Sequence, residues 1–197
     1  MSLRVLSCDT GLATFGWALC EYVLAGALPA HVEVVLLDAG ALATEPSAKK
    51  RKVRSVEDTA RRLGEIAEVL RRPCLNDPSL PVRVLCVESL SNVRNAGSSA
   101  KMGSAWGLVL GYALLRRIPI LQATPQAVKL AATGQKKATK DEMIDAMIRL
   151  HPELAELLTG VPDTLHEHAA DALAVAHACK NDESVLMALA MQEALLQ

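Results

Sequence analysis

The stretch 82–88, Val-Arg-Val-Leu-Cys-Val-Glu, constrains the fold more than any other part of the chain. It is a short apolar run bounded by Pro81 on one side and the Ser/Asn/Gly-rich segment 89–99 on the other. Four to eight apolar, β-branched residues between turn signals read as a strand buried on both faces. Its last residue is a carboxylate, Glu88. An acid there stands at the carboxyl edge of the sheet, where open α/β sheets place their ligands.

Two other segments offer acids in comparable settings. Residues 4–9 form an apolar run that ends in Asp9, followed by Thr10-Gly11. Residues 14–24 read as a second strand, with 10–13 as a tight hairpin, and 31–37 as a third strand after a loop at 25–30. Three hairpin-linked strands begin an antiparallel meander. Residues 44–54 read as an exposed loop carrying Lys49-Lys50-Arg51-Lys52-Val53-Arg54. Helical spacing follows over 55–70, with Ser55 and Asp58 resembling a capping box. A Pro/Asn/Asp linker at 73–81 leads into the central strand. Residues 98–117 read as a long helix with Gly103, Gly107 and Gly111 on one face, a pattern that suits close approach by another element. A strand at 119–124 and a helix at 125–132, with Pro at its first turn, precede a basic turn at 133–139 that contains Lys136 and Lys137. Helices are expected at 139–150, 168–179 and 184–196, with a short helix inside 151–165. His166 and Glu167 are assigned to the loop before the alanine-rich helix that His168 and Asp171 open. A strand that follows a helical crossover lies parallel to the first, so Asp9 and Glu88 are expected side by side.

Composition narrows the class. The 197 residues suit one domain, and a hydrophobic share of 51% argues against disorder. Apolar runs fall short of the roughly 18 residues that suggest a membrane span, and Met1-Ser2-Leu3-Arg4 shows no secretory pattern. Five cysteines without a Cys-x-x-Cys pair read as buried, reduced thiols, so a cytoplasmic protein is expected. The net charge of −1 conceals an asymmetry: residues 1–140 hold 19 Lys/Arg against 11 Asp/Glu, and residues 141–197 hold 2 against 11. The basic first part suits a nucleic-acid partner.

Three carboxylates and a histidine at one sheet edge would repel and raise one another's pKa values. A divalent cation removes that strain, and oxygen donors with one imidazole favour Mg²⁺ or Mn²⁺. His168 and Asp171 stand three apart on a helix and project to the same side.

These residues resemble a known family. Ser7-Cys8-Asp9-Thr10-Gly11 with Gly16 looks like the first-strand signature of RuvC Holliday junction resolvases. Val87-Glu88, Asn95-Ala96 and Lys101-Met102-Gly103-x-x-x-Gly107 resemble the second acidic motif and the helix after it. Pro125-x-x-Val128-Lys129, Gly134 and Lys140 resemble the basic segment, and His168-Ala169-Ala170-Asp171-Ala172-Leu173-Ala174 the last acidic motif. The resemblance runs from about residue 3 to residue 180. It implies an α/β, RNase H-like three-layer fold: a mixed five-stranded sheet, its first three strands antiparallel, flanked by helices. The nuclease domain would span 1–180, with a helical extension at 181–197.

The implied activity is metal-dependent paired nicking of four-way DNA junctions. Asp9, Glu88, His168 and Asp171 would form the catalytic and metal-binding set, holding two Mg²⁺ ions, or Mn²⁺ in their place. Lys129 and Lys140 match junction-contacting residues; Lys136, Lys137, Lys49, Lys50, Arg51 and Lys52 are further candidates for phosphate contact. The glycine-bearing helix corresponds to the family's dimer-forming helix, which makes a homodimer the expected assembly; no membrane partner is implied, and the sequence is silent on a branch-migration motor. Ser91 stands where many relatives carry an aromatic residue that stacks near the junction point, so the cleavage preference is open here. A cytoplasmic protein acting at the nucleoid or in a phage-infected cell is expected, and Lys49–Lys52 is read as a phosphate-contacting or solvated loop ahead of a nuclear-import signal. The rival readings are a nuclease of flaps, forks or RNA–DNA hybrids, a non-cleaving junction binder, and a sugar-kinase-like ATPase, which needs a second glycine motif and more chain.

Overall fold

The computed structural model describes residues 2–26, 31–47, 54–90 and 96–194. The expected DNA-contacting residues Lys49, Lys50, Arg51 and Lys52, and Ser91, lie outside the described residues.

The chain runs through β1 (Ser2–Thr10), β2 (Thr14–Ala25), β3 (His31–Ala43), α1 (Ser55–Leu70), the single turn α2 (Pro73–Asn76), β4 (Val84–Glu88), α3 (Ala96–Arg116), β5 (Ile120–Ala123), α4 (Pro125–Thr133), α5 (Lys140–Leu150), α6 (Glu153–Leu157), α7 (His166–Cys179) and α8 (Glu183–Ala194). The five strands make one sheet in the order β3-β2-β1-β4-β5. β1 pairs antiparallel with β2 and β2 with β3, whereas β4 lies parallel to both β1 and β5. No described helix is long and apolar enough to cross a membrane.

Period-two alternation divides the buried residues between the two sheet faces. Val5, Val84 and Cys86 join Ala18, Cys20 and Tyr22 in one cluster, which α4, α5, α7 and α8 cover. Leu6, Cys8, Leu85 and Val87 join Phe15, Trp17 and Leu19 in the other, which α1 and α3 cover. The layers are therefore helix, sheet, helix. Cys8, Cys20, Cys86 and Cys179 are buried free thiols, as expected, and Cys74 is partly exposed.

β3 extends six residues past its expected end, because 38–43 pairs with the first half of β2 after a register shift at Leu19/Cys20. The Asp-Ala-Gly-Ala run carries little strand propensity of its own. Gly40 is needed there because a Cβ would come within 2.5 Å of the Trp17 ring. At the start of α1 the cap also differs from expectation. Ser55 is already helical, and the Arg54 N–H donates to Glu57 at 3.2 Å. Asp58 instead accepts from the Ser47 N–H and Oγ at 2.8 and 2.7 Å, which anchors the end of the segment after β3. The glycines of α3 are approached by nothing: a Cβ at Gly103, Gly107 or Gly111 meets no described atom within 4 Å.

Candidate active site

The β1–β4 register, Cys8 opposite Val87, carries on to set Asp9 level with Glu88 at the carboxyl ends of two parallel strands. Both acids have the strand parity of Val5, Ser7, Val84 and Cys86, so they point to the face that α7 covers. The buried alanines of α7, Ala169, Ala170, Ala172, Ala174 and Ala176, let its axis come close to the sheet. The closest point is Gly16 on β2, which pairs with Asp9. A Cβ on Gly16 would lie 2.0 Å from the carbonyl oxygen of His168. The first turns of α7 thus rest on a bare patch of backbone beside Asp9.

That seat brings the expected residues together. His168 Nδ1 stands 2.6 Å from Asp9 Oδ2. Burial raises the Glu88 carboxyl from 4.5 to about 7, and the neighbouring charges of Asp9 and Asp171 push the same way against Lys129. Burial likewise raises Asp171 from 3.8 to about 6, with Asp9 adding to the rise and His168 opposing it. The hydrogen bond to Asp9 raises His168, against the effect of its own burial.

The basic residues divide into two kinds. Lys129 is half-buried; its ammonium donates to the Ala138 carbonyl at 2.7 Å, and its charge favours the ionised forms of Glu88 and Asp171. Lys136 and Lys137 are exposed on the turn after α4. Lys140, at the start of α5, is exposed and pairs with Glu167 at 2.6 Å.

Glu167 and His166 correct the sequence reading. Both belong to the first turn of α7 and not to the preceding loop. Glu167 Oε1 also lies 3.4 Å from His168 Nε2. The adjacent Glu-His pair at an apolar helix's start was the signal available, since acids favour first turns.

The donor set suits a hard divalent ion: carboxylate oxygens with one imidazole, where burial first and then the charge of Asp9 raise Glu88 and Asp171. Among the described residues no three His, Cys, Asp or Glu side chains already stand gathered around a metal position. The His168 ring is turned onto Asp9, with Nδ1 against that carboxylate oxygen.

The family described as Crossover junction endodeoxyribonuclease RuvC matches residues 5–179. The chain belongs to the RuvC family. A RuvC of Hydrogenovibrio crunogenus is 33% identical over 91 residues, 46% of this chain and 48% of that protein. The chain spans about half the length of the first curated relatives it matches. A RuvC of Prochlorococcus marinus is 28% identical over 88% of this chain and 96% of the relative. Among solved structures, Thermus thermophilus RuvC in complex with a Holliday junction substrate superposes with a TM-score of 0.61 at 26% identity, covering 95% of this chain and 97% of that one. The three-layer RNase H-like architecture expected from the sequence is the RuvC architecture.

Proposed function

We propose that this chain is a Holliday junction-resolving endonuclease that cuts branched DNA by divalent-metal-dependent phosphodiester hydrolysis, with Mg²⁺ as the working ion and Mn²⁺ as a substitute. The observation that carries the reading is the meeting of Asp9, Glu88, Asp171 and His168 at one sheet edge, with Glu88 and Asp171 held well above ordinary carboxylate values.

Asp9, Glu88 and Asp171 would hold the cations, with His168 as the nitrogen donor or as the group that orients water. A pair of such ions, when bound, would supply a nucleophile at neutral pH and stabilise the leaving oxygen of the phosphodiester. The chain's own residues do the rest. The β1–β4 register and the Gly16 seat fix the acids relative to one another. Lys129 offsets part of their negative charge. Exposed Lys136, Lys137 and Lys140 take backbone phosphates in a sequence-independent, salt-sensitive manner, and Lys49–Lys52 extends that set.

Two symmetric cuts need two sites, which a two-fold dimer provides. The outer face of α3 suits that role. Leu114 and Leu115 are 66% and 89% exposed, and Gly107 and Gly111 line an apolar groove with Leu108 and Tyr112.

The test is cleavage of a labelled synthetic four-way junction with Mg²⁺ or Mn²⁺, beside Asp9→Asn and duplex, flap, fork and RNA–DNA hybrid controls. Symmetric nicks on the junction that vanish in Asp9→Asn while binding persists are expected. Preferential cutting of flaps or hybrids would move the substrate to another branched nucleic acid. Junction binding without cutting in either metal would overturn the enzymatic reading.

A further inference from the structure

Two imidazoles meet farther along α7, and nothing described so far uses them. His151 follows the last turn of α5, where its N–H donates to the Met147 carbonyl at 2.8 Å and its carbonyl accepts from the Leu154 N–H at 2.9 Å. The corner between α5 and α6 is therefore built on this residue, and its side chain is 6% exposed. His177 stands in the last turn of α7. The two Nε2 atoms are 2.7 Å apart, with the rings edge to face at 65°. His151 Nδ1 lies 3.4 Å from Glu153 Oε1.

Such a contact has a fixed proton count. A neutral imidazole carries one N–H and one lone pair. Two ring nitrogens in hydrogen-bond contact need the N–H of one and the lone pair of the other. Glu153, beside His151 Nδ1, favours the proton there and so makes His177 the donor to His151 Nε2; the count is the same either way. With both rings protonated, two N–H groups and two positive charges face each other, and the contact cannot hold. The surroundings keep the rings neutral. Burial lowers His177 to about 3, and His151 and Lys180 push the same way. Burial also lowers His151, with Glu153 opposing it and Lys180 adding to it. Among the described residues, Glu153 of α6 and Lys180 just beyond α7 are the charges that act on these rings. From β2 comes Cys20, a buried thiol whose ionisation Glu153 opposes. From α5, β3 and α8 the same layer receives only Met143, Met147 and aliphatic side chains.

We propose that the His151–His177 contact is an acid-released clasp: it ties the last turn of α7 to the α5–α6 corner while one proton lies between the rings, and it opens when both rings are charged. α7 is the helix that carries His168 and Asp171. His177 stands about 9 Å along its axis from Asp171, at about 1.5 Å per residue. The clasp thus holds the far end of the helix on which the candidate site depends. Both rings lie below their ordinary 6.5 in the folded chain, so the opened chain binds more protons. Their contribution to stability is full above about pH 6.5 and is lost as pH falls towards the folded values. Glu88 and Asp171 run the other way, contributing more as pH falls, so the clasp shows itself as a difference between variants.

Hydrogen exchange of the backbone amides of 174–179, corrected for the intrinsic pH dependence of exchange, reads the clasp directly. Between pH 7 and pH 5, protection in wild type is expected to fall at least tenfold further than in His177→Gln, whose amide takes no charge. One group released to its ordinary value gives about tenfold per pH unit below that value. Equal pH dependence in the two proteins would overturn the proposal. Titration of the wild-type rings by NMR is the second measurement, and it serves even where His177→Gln does not fold. The signals of His151 and His177 are expected to stay those of neutral imidazole down to the pH at which the last turn of α7 loses protection. Two rings that become charged while that turn stays protected would show that the contact tolerates both charges, and the clasp would be wrong. Neither measurement involves DNA, so loss of the nuclease reading would leave this inference standing.

Discussion

At the scale of single residues the centre is defined by charge that the fold does not itself neutralise. Glu88 at about 7 and Asp171 at about 6 lie above their ordinary 4.5 and 3.8. Between about pH 4 and pH 7 the folded chain therefore holds more protons at these two groups than the unfolded chain does. What they contribute to stability is fully present below the lower values and is lost as pH rises through the folded ones. His168, raised by Asp9, works in the same direction. Glu88→Gln in the metal-free protein is expected to raise the Tm at pH 8 by a few degrees, at about 2–4 °C per kcal/mol for a chain of this size, and to change it little near pH 4. Thermal melts across that range would show it. Mg²⁺ is expected to stabilise wild type at pH 8 and to do so less in the variant; a variant no more stable than wild type at pH 8 would show that the carboxylates are not strained.

At the scale of elements, α7 is both the centre of one hydrophobic layer and the carrier of half the site. Its place depends on Gly16. Gly16→Ala would put a methyl carbon 2.0 Å from the His168 carbonyl oxygen, against backbone that cannot rotate away. Lifting the helix costs about 1–3 kcal/mol by analogy with overpacked cores. Cleavage should fall by more than a hundredfold, with folding retained by circular dichroism, because the acids separate. Much of this layout was legible in the sequence. The apolar runs that end in Asp9 and Glu88 announced two strands, and one helical crossover made them parallel. α7 starts two residues ahead of the expected 168, because His166 and Glu167 are polar and follow Pro162, a local pattern that reads as loop. The reach of β3 was hidden for the opposite reason. Its last residues are small and weak strand formers, held by the partner strand and by the Trp17–Gly40 contact, which no local pattern reveals.

The whole molecule presents a charged edge and an apolar back. Lys129 and Lys140 lie beside the candidate site, while α3 turns leucines and bare glycines to the outside. If that outer face is the dimer seam, Leu115→Arg, at a position 89% exposed and therefore harmless to the fold of one copy, should halve the mass in light scattering. It should also convert paired cuts into single nicks on a junction in supercoiled plasmid. A variant that stays dimeric would place the seam elsewhere.

The turn between β1 and β2 carries one last consequence. Gly11, Leu12 and Ala13 alone separate the strand that ends beside Asp9 from the strand that offers Gly16. The Leu12 carbonyl is held by the Arg62 guanidinium at 3.1 Å and by the Thr44 hydroxyl. Asp9 and Gly16 are register partners, so the acid and the seat for the helix above it are spaced by the length of this turn. One residue more or fewer must be absorbed within the turn, or the pairing slips by one and turns the side chains of β2 to the opposite face. Insertions and deletions in surface turns are among the changes proteins accept most readily over evolutionary time, but here the number of residues sets how Asp9 is matched to the seat of α7.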